Sequence, residues 1–291
     1  MPELPEVETV RRGLANRLDN FYIEEIEVCR ERSISSPGGP KLFRKALKGL
    51  VIGDWERRGK YLIASLLQNQ SRINPGEKEV KISGHLGVHL RMTGYFQWHR
   101  TPSPPCPHTR VRFWNQKGEE LRFVDVRSFG QLWWVPPNQS IESVITGLKS
   151  LGPEPFSNDF NISYLQKKLE NSRRPIKSAL LDQSLVAGTG NIYADESLFL
   201  AGIRPQTPSF LLKKPRLQNL LTQLVEVLKT SIGKGGTTFS DFRDLNGLNG
   251  NYGQEAWVYG RGKKPCRKCG TEIRKVHLSG RGTHWCPKCQ S

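Results

Sequence analysis

The chain begins MPELPEVETVRRGL, residues 1–14, and this stretch joins a reactive terminus to the start of a helix. We expect the initiator methionine to be removed because the next residue, Pro2, is small, and removal exposes a secondary amine. An α-amino group titrates near ~8 and a lysine ammonium near ~10.4, so a useful fraction of this amine is unprotonated at neutral pH. Its attack on an aldehyde carbon gives an iminium, which keeps its positive charge. Pro2 is therefore a candidate nucleophile.

Two carboxylates, Glu3 and Glu6, lie three residues apart and share one face of a helix that begins by Pro5. Apolar residues follow at helical spacing, namely Val7, Val10, Leu14 and Leu18. The sequence predicts an amphipathic helix, buried on one side, that carries the amine and its acids. The alternative is that Pro2 is only an exposed terminus and that the glutamates complement the helix dipole.

The charge balance points to a polyanionic partner. The chain has 44 lysines and arginines against 27 aspartates and glutamates, a formal charge of +17 over 291 residues. Nucleic acid is the commonest match, and an anionic membrane surface is the main competitor. No apolar run approaches the ~20 residues that span a bilayer, and the acidic terminus differs from a signal peptide. We expect a soluble, cytoplasmic protein of two domains that does not act at a membrane.

Short alternating segments dominate the first half of the chain. They predict strands at 21–30, 51–67 (a hairpin that turns at Arg58 and Gly59), 80–90, 95–98, 110–114, 121–126 and 131–135. A polar surface loop is expected at 68–81. So many short strands favour a β-sandwich or barrel-like domain. Proline and polar residues at 136–140 then mark a linker, and helices are predicted beyond it.

A glycine turn and a glycine-rich segment stand out in the second half. Gly188 and Gly190 precede a helix start at Asn191, so backbone N–H groups there favour a phosphate, although two packed helices need such a turn as well. The segment 233–254 has little periodicity. It is either a lid or a tether to the residues that follow.

Four of the six cysteines form two CxxC pairs near the carboxyl end, separated by sixteen residues. Cys266, Cys269, Cys286 and Cys289 are a strong signal for one structural Zn²⁺ ion, closed by four thiolates. His284 is close enough to be an alternative ligand, but four cysteines already saturate zinc. A redox role for one pair would leave the other unexplained. The module is too small to fold alone, so zinc binding and folding should be coupled.

Two stretches of the chain resemble the corresponding stretches of formamidopyrimidine-DNA glycosylases, bacterial enzymes that excise oxidised purines. They are the opening string and residues 185–205, LVAGTGNIYADESLFLAGIRP. The resemblance implies an α+β fold with an N-terminal β-sandwich flanked by helices. A helical helix–two-turns–helix domain and a zinc-finger β-hairpin follow. The implied boundaries are 1–135 for the catalytic domain, 136–150 for a linker, 151–255 for the helical domain with a lid at about 233–254, and 256–291 for the zinc finger.

The same resemblance assigns roles to individual residues. Pro2 is the nucleophile, Glu3 protonates the opening deoxyribose, and Glu6 supports them. Lys60 reaches the phosphate of the damaged nucleotide, although a solvated hairpin lysine is the simpler interpretation. The other implied DNA contacts are His89, Met92, Arg127, Phe129, Lys177, Asn191 and Arg281, and backbone N–H groups of 234–238 could contact the purine.

Three of these contacts form a wedge. Met92 and Phe129 would enter the base stack, and Arg127 would face the orphaned cytosine, which partly restores the stacking and pairing lost on extrusion of a base. A sandwich core could equally bury Met92 or Phe129. Ser128 stands where many relatives have a second arginine.

The sequence thus predicts a bifunctional DNA glycosylase and abasic-site lyase of base excision repair. It would excise 8-oxoguanine or formamidopyrimidines from double-stranded DNA through a Pro2 Schiff base and β,δ-elimination, as a monomer with zinc as its cofactor. A preference for oxidised pyrimidines, as in the related endonuclease VIII branch, is disfavoured by LPEVE and Arg127. A non-catalytic zinc-finger protein would explain the charge and the cysteines but not Pro2, Glu3 and Glu6. An RNA-directed enzyme lacks its aromatic platform.

Overall fold

The computed structural model describes residues 1–18, 20–68, 81–237 and 250–291. These residues divide into a first unit of residues 1–2, 6–149 and 250, and a second unit of residues 3–5, 150–237 and 251–291. The predicted loop at 68–81 lies almost wholly outside the described residues. No described helix combines the length and the apolar character that a bilayer crossing requires.

The first unit is a sandwich of two antiparallel sheets. Its helices are α1 (Leu4–Arg17, of which residues 6–17 belong here), α2 (Gly39–Leu47) and α3 (Ile141–Val144). Its strands are β1 (Phe21–Tyr22), β2 (Glu25–Val28), β3 (Leu50–Arg58), β4 (Tyr61–Gln68), β5 (Ile82–His89), β6 (Gly94–His99), β7 (Thr109–Trp114), β8 (Glu120–Asp125) and β9 (Gln131–Val135). The sheet orders are β1-β3-β4-β5-β9 and β2-β7-β8-β6.

Apolar side chains from both sheets and from α1 form the core of this unit. Trp55 of β3 meets Phe96 of β6 edge to face, with ring centroids 6.4 Å apart. Helix α1 buries one face in the same cluster, through Val7, Val10 and Leu14, and Leu18, which directly follows the helix, joins them. The predicted sandwich and the predicted amphipathic helix are both confirmed.

The single strand predicted at 21–30 is wrong, because the chain changes sheet within it. The N–H of Ile23 donates to Leu50 O of β3, at 2.8 Å, and the next N–H, of Glu24, donates to Trp114 O of β7, also at 2.8 Å. Alternation of apolar and polar residues continues through this crossing, so the sequence pattern alone could not reveal it. Strands β1 and β2 therefore belong to different sheets.

Two further segments show how the first unit is completed. The β3–β4 hairpin turns at Gly59, whose φ of 56° suits the first position of a two-residue loop. The segment predicted as a linker contains α3, capped by the hydroxyl of Ser140. Ile145, which follows α3, is 1% exposed, and a Cβ at Gly87 of β5 would overlap its Cδ1. Residues 141–148 thus pack on the sheet of the first unit.

The second unit combines helices with a carboxyl-terminal hairpin. Its helices are α4 (Ile162–Leu169), α5 (Ile176–Leu181), α6 (Asn191–Leu200) and α7 (Lys214–Gly233), and its hairpin is β10 (Arg274–Leu278) with β11 (Arg281–Trp285). Helix α6 is central, because Tyr193, Ala194 and Leu198 lie in the buried cluster that also contains residues of the other three helices. The connection to the hairpin is held by the buried carboxylate of Glu196, which accepts the N–H groups of residues 257–259 at 2.7–2.9 Å.

The glycine-rich segment after α7 begins by capping that helix. The N–H of Gly236 donates to Ser231 O at 2.8 Å, and the N–H groups of Lys234 and Gly235 also donate to carbonyls of the last turn. In this conformation helix carbonyls occupy the N–H groups of 234–236, and the contact of 234–238 with a purine stays a prediction. Residues 238–249 of the predicted lid lie outside the described residues.

We expect Leu14→Ala to destabilise the protein, because Leu14 of α1 is 0% exposed within the core of the first unit. Loss of a fully buried leucine side chain leaves a cavity and costs about 2–5 kcal/mol. Urea unfolding followed by circular dichroism measures the change. Leu211→Ala is the matched control, because Leu211 is 52% exposed and the same truncation should leave the midpoint almost unchanged. Equal midpoints for the two variants would contradict the packing described here.

Candidate active site and nucleic-acid interface

The amino-terminal residues of the second unit hold a carboxylate at the start of helix α6. Oε1 of Glu3 accepts the N–H of Ile192 at 3.0 Å, and Oε2 accepts the N–H of Tyr193 at 3.4 Å. These N–H groups have no partner within a helix, and the helix dipole there favours negative charge. Glu3 is only 3% exposed. The candidate acid is thus fixed next in sequence to Pro2 by backbone donors.

Two glycines make this arrangement possible. The N–H of Leu4 donates to Gly188 O at 3.0 Å, and Gly188 has a φ of 86°. A Cβ at Gly190 would overlap the carboxyl group of Glu3. The glycine turn predicted as a phosphate site therefore receives the Glu3 carboxylate. Pro2 and Glu6, in the first unit, are both buried.

Lys60 and His89 of the first unit are buried polar residues, each 6% exposed. The interpretation of Lys60 as a solvated hairpin lysine is therefore excluded. Nδ1 of His89 accepts the N–H of Arg91 at 3.0 Å, and its ring meets Tyr61 edge to face with centroids 4.5 Å apart. Burial lowers the pKa of His89 to about 3, and the positive charges of Arg91 and Lys60 act in the same direction. His89 is therefore neutral, with Nε2 carrying the proton.

The residues of the predicted wedge, Met92, Arg127 and Phe129, come together on the surface of the first unit. Met92 is 37% and Phe129 44% exposed, so the sandwich core does not bury them. The Arg127 guanidinium lies 2.9 Å from Met92 Sδ and 4.8 Å from the centroid of the Phe129 ring. Arg32, which the sequence did not indicate, lies 6.0 Å from the same ring. We call Met92, Arg127 and Phe129 the wedge residues.

Lys177 lies in the interior of the second unit. It is 1% exposed, and its ammonium group pairs with Asp195 of α6 at 2.7 Å. The same nitrogen donates to Gly282 O and to the hydroxyl of Thr283, at 3.0 and 2.8 Å. Burial lowers the pKa of Lys177, against the raising effect of Asp195. These partners surround the ammonium group in this conformation, and the direct DNA contact of Lys177 stays a prediction.

The interior contacts of Lys177 instead anchor the hairpin that carries Arg281. Nδ2 of Asn191 also donates to Gly282 O, at 3.0 Å, and Asp195 accepts the N–H of His284 at 2.8 Å. Arg281 itself is exposed. Asn191 thus contacts the backbone of the residue that directly follows Arg281. The sequence analysis did not identify Asp195 as a site residue. Its position one helical turn after Asn191 is the signal that could have indicated it.

The four carboxyl-terminal cysteines form a site for one structural zinc ion. Their Sγ atoms all lie within 4.8 Å of one another, with Cys266–Cys289 at 3.9 Å and Cys269–Cys286 at 3.5 Å. A tetrahedral ion with Zn–S bonds of ~2.3 Å requires sulfur atoms about 3.8 Å apart, so the spacing fits zinc and is too long for disulfides. His284 contacts Asp195, which removes it as a competing ligand.

We expect Cys269→Ser to remove the zinc ion and, with it, the order of the β10–β11 hairpin. Metal ligation supplies most of the folding free energy of such modules, so DNA affinity should fall by about tenfold or more. Atomic absorption gives the zinc content, and fluorescence anisotropy gives the affinity. Cys29→Ser is the control, because Cys29 is an exposed free thiol outside the module. Full zinc content in Cys269→Ser would contradict the assignment.

We expect His89 to stay neutral from pH 8 down to pH 5, so its NMR signals should not titrate near the ordinary value of 6.5. Protons bind preferentially to the unfolded chain. The contribution of His89 to the free energy of unfolding is therefore complete above pH 6.5 and is lost as the pH falls toward 3, by at most about 1.4 kcal/mol per pH unit. His89→Gln assigns the signals and removes this dependence. A midpoint above 5.5 would refute the buried neutral ring.

Comparisons with known proteins cover nearly the whole chain. The model of the formamidopyrimidine-DNA glycosylase N-terminal domain matches residues 1–132, and that of the H2TH domain of the same enzymes matches residues 151–243. The model of the zinc finger found in FPG and IleRS matches residues 263–291.

Relatives and solved structures agree with these models. The formamidopyrimidine-DNA glycosylase of Prochlorococcus marinus (strain MIT 9313) is 66% identical over 290 residues, with 100% of both chains covered. A variant of Lactococcus lactis FPG in complex with DNA that contains Fapy-dG is 35% identical with a TM-score of 0.87, and wild-type L. lactis FPG with DNA that contains an oxidised pyrimidine is 35% identical with a TM-score of 0.86. Each match covers 100% of this chain and 100% of the L. lactis chain. This chain belongs to the formamidopyrimidine-DNA glycosylase family.

Proposed function

We propose that this protein excises oxidised purines from double-stranded DNA in base excision repair and then cleaves the abasic strand. The observation that carries the proposal is the Glu3 carboxylate, held by the N–H groups of Ile192 and Tyr193 directly beside Pro2 in the sequence. In a non-catalytic DNA-binding protein this carboxylate would only cap helix α6, and its position next to the terminal amine would have no function. The family membership and the DNA complexes of the L. lactis relatives support the same function.

The chemistry begins with removal of Met1, which frees the Pro2 nitrogen. This nitrogen forms a bond to C1′ of the damaged nucleotide, and the bond from C1′ to the base breaks, so the base leaves with the electron pair. Backbone donors favour the ionised form of Glu3, so Glu3 takes the proton that Pro2 loses. It then delivers that proton to O4′ as the C1′–O4′ bond opens. One proton thus travels from Pro2 through Glu3 to the sugar.

The resulting iminium drives strand cleavage. Its positive charge acidifies the C2′ proton, because the electrons of the C2′–H bond can move toward the nitrogen. Elimination of the 3′ phosphate and then of the 5′ phosphate follows. Water then hydrolyses the iminium, which breaks the bond from C1′ to nitrogen and frees the Pro2 amine and an aldehyde. Zinc holds the hairpin and takes no part in these steps.

DNA contacts in this proposal come from both units. In the first unit, Lys60 and neutral His89 bind phosphates, and the wedge residues fill the space of the extruded base. In the second unit, Asn191 and Arg281 bind the flanking phosphates, and Lys177 positions them from the interior. Glu6 supports the terminus.

We also propose the domain boundaries and the state in the cell. Residues 1–135 form the catalytic domain, 136–150 the connection, 151–255 the helical domain and 256–291 the zinc finger. The protein acts as a monomer, because the proposed site needs no second chain, and it works in the cytoplasm on the nucleoid.

The experiment is borohydride trapping with Pro2→Thr and Glu3→Gln on duplex DNA that carries 8-oxoguanine opposite cytosine. The wild type should give a covalent adduct at Pro2. Pro2→Thr should retain DNA affinity and lose strand cleavage by about a hundredfold or more, because a primary amine forms a neutral imine more readily than a charged iminium. Glu3→Gln should bind and not cleave.

The matched control for the second variant is Glu226→Gln on the exposed face of α7, which should behave as the wild type. An undiminished adduct in Pro2→Thr would remove Pro2 as the nucleophile. Binding without any adduct in the wild type would favour the non-catalytic protein.

Oxidised pyrimidines are a second candidate substrate class. The specific observation is the structure of L. lactis FPG with DNA that contains an oxidised pyrimidine. The same trapping assay with an oxidised pyrimidine in place of 8-oxoguanine compares the two classes directly.

A further inference from the structure

The two loops that carry the wedge residues meet at one buried carboxylate. Asp125 ends strand β8 and is 0% exposed. Its Oδ1 accepts the hydroxyl of Thr93 at 2.5 Å and the N–H of Arg127 at 3.2 Å, and its Oδ2 accepts the N–H of Gly130 at 2.6 Å. Asp125 therefore binds the loop after β5 and both ends of the loop after β8.

Thr93 strengthens this link from the other side. Its hydroxyl donates its single proton to Asp125, and its oxygen accepts the N–H of Arg127 at 3.0 Å. Thr93 follows Met92 directly, while Arg127 and Phe129 belong to the opposite loop. The hydroxyl and the carboxylate thus join the backbone beside Met92 to the backbone of the loop that presents Arg127 and Phe129.

The surroundings of Asp125 leave its carboxylate little freedom. Its N–H donates to His108 O at 2.9 Å, and its carbonyl accepts Nε of Arg110 at 2.7 Å. A Cβ at Gly130 would overlap the ring of Phe123 and would lie 3.0 Å from Oδ2, so the glycine allows the loop to approach the carboxylate. Ser128, between the two wedge residues of this loop, has a φ of 53°, a tight turn that these hydrogen bonds hold.

The wedge residues themselves have little support from packing, since Met92 and Phe129 are 37% and 44% exposed. Their positions are therefore set by the backbone of their loops. We propose that Asp125 and Thr93 are positioning residues that fix both wedge loops as one rigid group for extrusion of the damaged base. This proposal rests on the function proposed above and identifies the residues that prepare its wedge.

The proposal predicts different effects on base excision and on cleavage of an abasic site. Extrusion of a stacked, paired base needs the three wedge side chains at fixed places to replace the lost stacking. An abasic site has no base to extrude, and its aldehyde is open to Pro2. Loss of the Asp125–Thr93 contact should therefore impair excision of a damaged base far more than cleavage at a preformed abasic site.

The test compares Thr93→Val, Thr93→Ser and Asp125→Asn with the wild type. Two duplexes of the same sequence are used, one with 8-oxoguanine and one with a preformed abasic site, each opposite cytosine. Valine has the shape of threonine but no hydroxyl, so Oδ1 of Asp125 and the N–H of Arg127 both lose the Thr93 hydroxyl and keep only their contact with each other at 3.2 Å. Single-turnover excision of 8-oxoguanine by Thr93→Val should fall about tenfold, with cleavage of the abasic duplex within about twofold of the wild type.

The serine variant keeps the hydroxyl and should restore excision. Asp125→Asn replaces one acceptor by a donor that faces an N–H group, so its loss of excision should exceed that of Thr93→Val. Thr222→Val, at an exposed threonine of α7, is the matched control and should match the wild type on both duplexes. Thermal unfolding verifies that the variants are folded.

Three results would overturn the proposal. Thr93→Val could cleave both duplexes as fast as the wild type. Alternatively, its rates on the two duplexes could fall by the same factor, which would indicate a general structural role. Failure of Thr93→Ser to restore excision would show that the hydroxyl is not the active feature. A wild type that cleaves neither duplex would instead remove the proposed function itself, so the two failures are distinguishable.

Discussion

The contact on which the candidate site depends most is the one between the Glu3 carboxylate and the first N–H groups of helix α6. The contact needs a residue without a side chain at position 190, because a Cβ there would overlap the carboxyl group. It also needs the hydrogen bond from Leu4 N–H to Gly188 O, which fixes the backbone beside Glu3. The opening string and the glycine turn are therefore two halves of one local arrangement, although the contacting residues Leu4 and Gly188 are 184 residues apart. The sequence shows both strings, but only the structure shows that one receives the other.

In both units, buried carboxylates accept backbone N–H groups of loops. Glu196 accepts three of them from the segment before the zinc module, and Asp125 accepts two from a wedge loop. A buried carboxylate is costly unless its oxygens are well bonded, and burial raises the pKa of Glu196 despite its three donors. Because the cost is recovered only when each loop keeps its geometry, these contacts give the loops one conformation. Loops that must present side chains to a rigid duplex benefit from such preorganisation.

The regular parts of the fold were predictable from local pattern. Helix α1 and strands β3–β9 follow periodicity and turn residues, and the zinc ligands follow cysteine spacing. Local pattern could not show the partners of a residue that are distant in sequence. The strand at 21–30 changes sheet without a change of pattern, and Lys177 looks like any helical lysine until Asp195 and Gly282 are found around it. His89 belongs to the same class, since its neutral state depends on burial near Arg91 and Lys60.

The distribution of the basic residues separates attraction from positioning. The formal charge of +17 counts every lysine and arginine equally. Yet Lys177 pairs with Asp195. Arg122, which is 2% exposed, pairs with Glu120 and donates to the carbonyls of residues 103 and 104. Such cations are already neutralised, so they release no counterions from DNA and add little to the salt dependence of binding. Exposed cations such as Arg127 and Arg281 remain to attract the duplex. The buried cations instead stabilise the fold through ion pairs and hydrogen bonds inside the protein.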